Sequence, residues 1–177
     1  MRRLRPLALG LVLLLVAACG GPSSAPATPA AALPTPLASL GPALQGTAAA
    51  LSSALAGLGL RLDPPAGPYR PSEPERLLRT PRAIFQAGTG DPGQGYVVLY
   101  QLVDDPDADA AARELAAYLG SGFGQTNFPV DAQLHVARDG SVVIFTWWSR
   151  EKSADPARAE AAWAAVASVG IEVPVRK

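Results

Sequence analysis

The chain has 177 residues, with 15 basic and 15 acidic side chains, one histidine and one cysteine. That balance lacks the basic stripe of a nucleic-acid binder. A single cysteine gives no internal disulfide, and one histidine is too few for a zinc site built from three or four good ligands.

The first eighteen residues read as a signal peptide. Arg2, Arg3 and Arg5 form a positive flank, and Leu7 to Val16 is an uninterrupted apolar run of ten residues. At about 1.5 Å per residue, such a helix spans only half of the ~30 Å hydrocarbon core, so it is a signal h-region rather than a membrane span. Two small residues then lead into the cysteine.

Val16-Ala17-Ala18-Cys19 resembles the lipobox of bacterial lipoproteins, and the resemblance covers only these first ~20 residues. It implies that the mature chain begins at Cys19, acylated on sulfur, because each buried CH₂ of a lipid adds about 0.8 kcal/mol of membrane affinity. It also implies an extracytoplasmic address, on the outer face of the cytoplasmic membrane or on the outer membrane. Gly20, rather than aspartate, after the cysteine leans towards the latter. Cleavage before Cys19 removes three arginines and leaves twelve basic against fifteen acidic side chains.

Residues 20–46 carry prolines at 22, 26, 29, 34, 36 and 42, with no charge and no aromatic ring. This composition cannot bury enough apolar area to offset chain entropy, and it reads as a disordered tether. Extended, it reaches roughly 80 Å. The spacing of Leu44, Leu51, Leu55 and Leu58 then gives one amphipathic helix over about 45–58. All eleven aromatic residues lie between Tyr69 and Trp163, so residues 47–177 form one domain with its core at about 68–174.

Within that domain the pattern is a hairpin and a helix, twice. Strands over 82–87 and 95–103 precede a helix from Asp105-Pro106 to about Leu119. Strands over 132–138 and 141–149, joined at Asp139-Gly140, precede a helix from Asp155-Pro156 to about Ser168. Each helix takes aspartate as its N-cap and proline at its first position. The fold class is therefore α+β: an antiparallel sheet of two hairpins in a ββα-ββα layout, both helices on one face, plus the N-terminal amphipathic helix. A two-residue turn at Asp139-Gly140 sets Val136 opposite Val143, Leu134 opposite Phe145 and Ala132 opposite Trp147, an apolar face against Leu115 and Trp163.

The other face of that second hairpin holds the candidate site. Gln133, His135, Thr146 and Trp148 combine an aromatic plate with polar groups, suited to a sugar, a peptide or a hydrophobic ring, with Tyr96 or Tyr100 extending it. The competing reading covers this face with the helix at 45–58, or the connector after it, and makes Trp148 core. Gly88 to Gly93 spells G-x-G-x-x-G but precedes a strand, so it reads as a hairpin loop and not a dinucleotide site. Asp105, Asp107 and Asp109 resemble the start of a calcium loop, but Ala110 and Ala116 stand where its glycine and glutamate belong. These acids read as helix-start charges. Gly120-Ser121-Gly122 follows a helix and reads as its stop.

No catalytic constellation, cofactor motif or metal set is placed by spacing. The expectation is a non-catalytic module, held to a membrane by its lipid, that binds a ligand or an envelope protein of unknown identity. The alternatives are a structural component of an envelope complex and, more weakly, a hydrolase.

Overall fold

The computed structural model describes residues 40–177. The signal peptide, Cys19 and the tether up to residue 39 lie outside the described residues. Six strands form one antiparallel sheet: β1 (Leu62–Asp63), β2 (Arg82–Ala87), β3 (Tyr96–Gln101), β4 (Gln133–Asp139), β5 (Val142–Trp148) and β6 (Ile171–Glu172). Their order across the sheet is β1-β2-β3-β5-β4-β6. The helices are α1 (Pro42–Ala56), α2 (Glu75–Leu78), α3 (Asp105–Gly120), α4 (Gly122–Gln125) and α5 (Pro156–Ala167).

The two central strands dictate the layering. All seven residues of β5 are buried, as are five of the six in β3. A strand apolar on both faces must be covered on both, so the sheet lies between helical layers. On one side Leu44, Ala48, Leu51 and Leu55 of α1, with Ala162 and Val166 of α5, pack on Phe85, Val97, Leu99 and Ile144. On the other side Ala108, Ala112, Leu115 and Leu119 of α3 pack on Val98, Tyr100, Val136 and Phe145. The helices after the two hairpins therefore sit on opposite faces, not on one face as the sequence pattern suggested. Trp163 belongs with α5 on the first side, away from the Val136 face.

Three local expectations shift. α1 begins at Pro42, so residues 42–46, read from sequence as the end of the tether, are its first turn, while Leu58 lies beyond the helix and is 46% exposed. The cap of α3 is Asp104, whose carboxylate accepts from the Asp107 amide at 2.8 Å, which puts Pro106 second in the helix. α5 follows the expected form, with Asp155 accepting from the Arg158 amide at 3.1 Å ahead of Pro156. In the second hairpin the loop is Gly140-Ser141, with Gly140 at φ +57°. Val136 therefore faces Phe145 and Leu134 faces Trp147. The partners move by two residues, and because side chains alternate with period two, the faces are unchanged.

Candidate functional site

The four candidate side chains do share one face of β4 and β5, where Gln133 pairs with Trp148 and His135 with Thr146. That face is not the shallow open surface expected for a binding plate. His135, Thr146 and Trp148 are each 3% exposed, and only Gln133 reaches solvent. The cover is α5: the Trp163 ring meets His135 edge-on at 6.0 Å and 78°, and Ala159, Ala162 and Trp163 enclose a cavity with Trp148 and Thr146. Thr146 spends its hydroxyl on the Tyr96 carbonyl at 2.8 Å. Tyr96 and Tyr100 point to the other side of the sheet and do not extend this set; Tyr100 belongs to the α3-side core. Burial pushes the His135 pKa below its ordinary value, with the Glu172 charge pulling the other way.

The nitrogens of this face are unusual. His135 Nε2, Trp148 Nε1 and Trp163 Nε1 are buried without a hydrogen-bond partner. Each such group costs about 1–3 kcal/mol when left unpaired, and native interiors hold few of them.

The glycine-rich loop between β2 and β3 forms the rim of that cavity through Thr89, Asp91 and Gln94. No helix opens after it, so it cannot present amides to a pyrophosphate as the dinucleotide motif does. Its role in the structure is a clasp. Asp91 accepts from the Ala154 amide at 2.9 Å and the Ser153 hydroxyl at 2.7 Å, fastening the loop to the segment that leads into α5. Gln94 Oε1 accepts from the Ser149 amide at 2.9 Å, and Gln86 Nε2 donates to the Gln94 carbonyl at 2.9 Å. Beside this, Asp131 accepts from the Ser149 hydroxyl and the Glu151 amide, which hold its carboxyl below the usual range.

The aspartate run at the start of α3 is neutralised residue by residue. Asp107 pairs with Arg76, Asp109 with Arg113, and Asp105 with Arg138 at 3.6 Å. Arginine-paired carboxylates at three separate places do not converge on a cation. Ser121 both closes α3, its amide donating to the Ala117 carbonyl at 3.1 Å, and caps α4, accepting from the Gly124 amide at 3.1 Å.

Sequence reasoning missed the open cleft on the α3 side of the sheet. Tyr69, Tyr118, Phe123, Phe128 and Trp147 line a depression of about 320 Å³. The walls are fixed by their neighbours. Tyr69 stacks on Tyr96 with ring centres 3.9 Å apart and planes within 6°, and its hydroxyl accepts from Trp147 Nε1 at 3.1 Å. Burial drives the Tyr69 pKa well above the ordinary tyrosine value, so it is a neutral phenol. Phe128 meets Trp147 edge-on at 5.5 Å, and Phe123 meets Tyr118 in the same way at 6.1 Å. The Ser72 and Tyr118 hydroxyls, 3.1 Å apart, supply polar groups of the wall together with Asn127 and Arg70. Phe123 is 72% exposed and forms the outer lip. These rings are spread over nearly eighty positions, so no local spacing could have joined them.

Behind Tyr69 lies a buried ion pair. Glu73, whose side chain is fully buried, accepts from Arg82 on one oxygen and from the Tyr100 hydroxyl on the other. Burial raises the Glu73 pKa against both of those bonds, and burial together with the Glu73 charge holds Tyr100 well above the ordinary tyrosine value. With both carboxylate oxygens taken, the pair ties the 69–74 connector to the sheet and is not open to a substrate.

No protein-family model, curated protein or solved structure matches the chain.

Proposed function

We propose that this chain is a lipid-anchored extracytoplasmic protein, attached to a membrane through Cys19, whose domain is a non-catalytic binding module. The observation that supports binding is the aromatic cleft: an open depression of about 320 Å³ whose ring faces are held by stacking and hydrogen bonds before any ligand arrives. Preformed aromatic walls with a few polar groups are the usual make-up of a small-molecule site. The ligand class that fits is a ring with an apolar face and hydroxyls at its edge, such as the sugar of a glycan. Among the described residues, no carboxylate, histidine or cysteine lines the cleft, so a hydrolase has no proton-transfer pair there.

The ββα-ββα order belongs to the same reading, with β2-β3-α3 and β4-β5-α5 as successive hairpin–helix segments whose helices lie on opposite faces of the sheet; Tyr118 comes from the helix of the first and Trp147 from the hairpin of the second. Among the described residues no helix is long and apolar enough to cross a membrane, so this part of the chain offers no membrane-spanning helix as an alternative to the lipid.

The test is a titration of the full chain, with Cys19→Ser to leave it unacylated, against a panel of neutral oligosaccharides while Trp147 emission is followed. A saturable change that weakens about tenfold in Phe123→Ala supports the reading, since a stacked ring is worth about 0.5–1.5 kcal/mol beyond its area. Phe123 is exposed, so this variant keeps its fold. Binding that is unchanged in both Phe123→Ala and Tyr118→Ala removes the cleft from the account.

A second reading, a structural component of an envelope complex, draws on the apolar surface beside the cleft. Val130, 102% exposed, lines a neighbouring depression of about 510 Å³ with Phe128, Pro129 and Leu134, and Phe123, 72% exposed, stands at the lip of the cleft itself. Exposed apolar surface of this kind marks protein contacts.

A further inference from the structure

The cavity under α5 is separate from the aromatic cleft, on the opposite face of the sheet. It is small, about 20 Å³, room for one water-sized group. Trp148 and Trp163 both line it, and each keeps its indole N–H buried and without an acceptor in the protein. An indole nitrogen can only donate, so two unmet donors at one cavity call for an acceptor that the chain does not supply. His135, whose ring lies against Trp163, adds a third unpartnered nitrogen.

The rest of the lining sets the character of that acceptor. Ala87, Val97, Ala159, Ala162 and Val166 are apolar, and among the described residues no basic side chain lines the cavity. The one charge is Asp91, whose carboxylate already accepts from Ala154 N, Ser153 Oγ and Gln94 Nε2. Its negative field opposes an anion, and three hydrogen bonds already occupy most of its acceptor sites. What remains is a neutral oxygen with at most a short apolar body.

We infer that the cavity beneath α5 is a built site for one neutral oxygen acceptor, held by the indole N–H groups of Trp148 and Trp163. Two sources share that chemistry: solvent water, and the oxygen of a short alcohol or ketone. The roof is made of small side chains, Ala159 and Ala162, so little has to be displaced for a molecule of a few heavy atoms to enter.

The experiment uses the full chain, Cys19→Ser, with ¹⁵N-labelled indoles assigned through Trp148→Phe and Trp163→Phe. The expected result is that both N–H resonances lie at hydrogen-bonded positions and exchange slowly with solvent. Titration with acetone and 2-propanol then separates the sources. Joint, saturable movement of both resonances identifies an organic ligand, whereas fixed resonances that show cross-relaxation to a long-lived water identify water. Either result supports the site. Resonances at unbonded positions that respond to neither, or that move only with sodium chloride, overturn it. Ala162→Val narrows the cavity and should abolish the joint movement; if that variant does not fold, the wild-type titration decides alone.

Discussion

Replacing Asp91 with alanine tests whether the glycine-rich loop is a clasp. The side chain is 6% exposed and accepts three hydrogen bonds, at 2.7 Å from Ser153 Oγ, 2.9 Å from Ala154 N and 3.4 Å from Gln94 Nε2. A bond to a charged group contributes about 1.5–3 kcal/mol, and the third is too long to count fully. Removing a buried charge returns part of that, because its desolvation is no longer paid. The net expectation is a loss of about 2–3 kcal/mol in urea unfolding. Asp91→Asn keeps an acceptor for Ala154 and should lose about half as much. Amide exchange at Ala154 should quicken in Asp91→Ala, since that bond anchors the entry to α5. If Asp91→Ala unfolds within about 0.5 kcal/mol of wild type, the range of an ordinary surface change, the loop does not fasten α5 and the clasp is wrong.

Three further outcomes follow from packing and charge. Leu51→Ala should cost about 2–5 kcal/mol by chemical denaturation, because Leu51 of α1 is fully buried against the sheet and its removal leaves a cavity in the core. Trp148→Phe should leave the acrylamide-quenchable part of the tryptophan emission unchanged, since Trp148 is 3% exposed. His135 is held neutral by burial, with a folded pKa below the ordinary value of 6.5. The unfolded chain therefore takes up this proton first, so stability is complete above about pH 6.5 and declines as pH falls through the window down to the folded value. His135→Leu should flatten that part of the stability profile, measured by urea midpoints between pH 7 and pH 5.

Much of this architecture is legible from local chemistry. Asp155-Pro156 places a cap and a first helical residue with no help from the rest of the fold, and α5 begins there. The hairpin loop after β4 is harder, because Asp139-Gly140 and Gly140-Ser141 each put a glycine in the turn. The choice is made at a distance: the Thr47 hydroxyl of α1 donates to the Asp139 carboxylate at 2.7 Å, and Asp139 pairs with Val142 inside the ladder instead of turning. The two-faced covering of the sheet was present in the letters of β3 and β5, YVVLYQ and VVIFTWW, which are apolar at odd and even positions alike. Gln133 and His135 of β4 look solvent-facing, which kept an open face in contention with a covered one. The adjacent tryptophans were informative: Trp147 joins the α3-side core and Trp148 lines the cavity under α5. The aromatic cleft was not legible, because Tyr69, Tyr118 and Phe128 become neighbours only once α3 and the connector before α2 have packed.

The placement of α1 bears on how a ligand reaches the proposed cleft. The described chain enters the domain at Leu40, which is itself buried, and α1 is fixed to the sheet by Leu44, Leu51 and Leu55. The α1 layer covers one face of the sheet, while Phe128 and Trp147 of the cleft belong to the core on the other. A ligand reaching the cleft approaches from the α3 side, away from the α1 layer. The exposed lip at Phe123 is apolar surface that a bound ligand would cover.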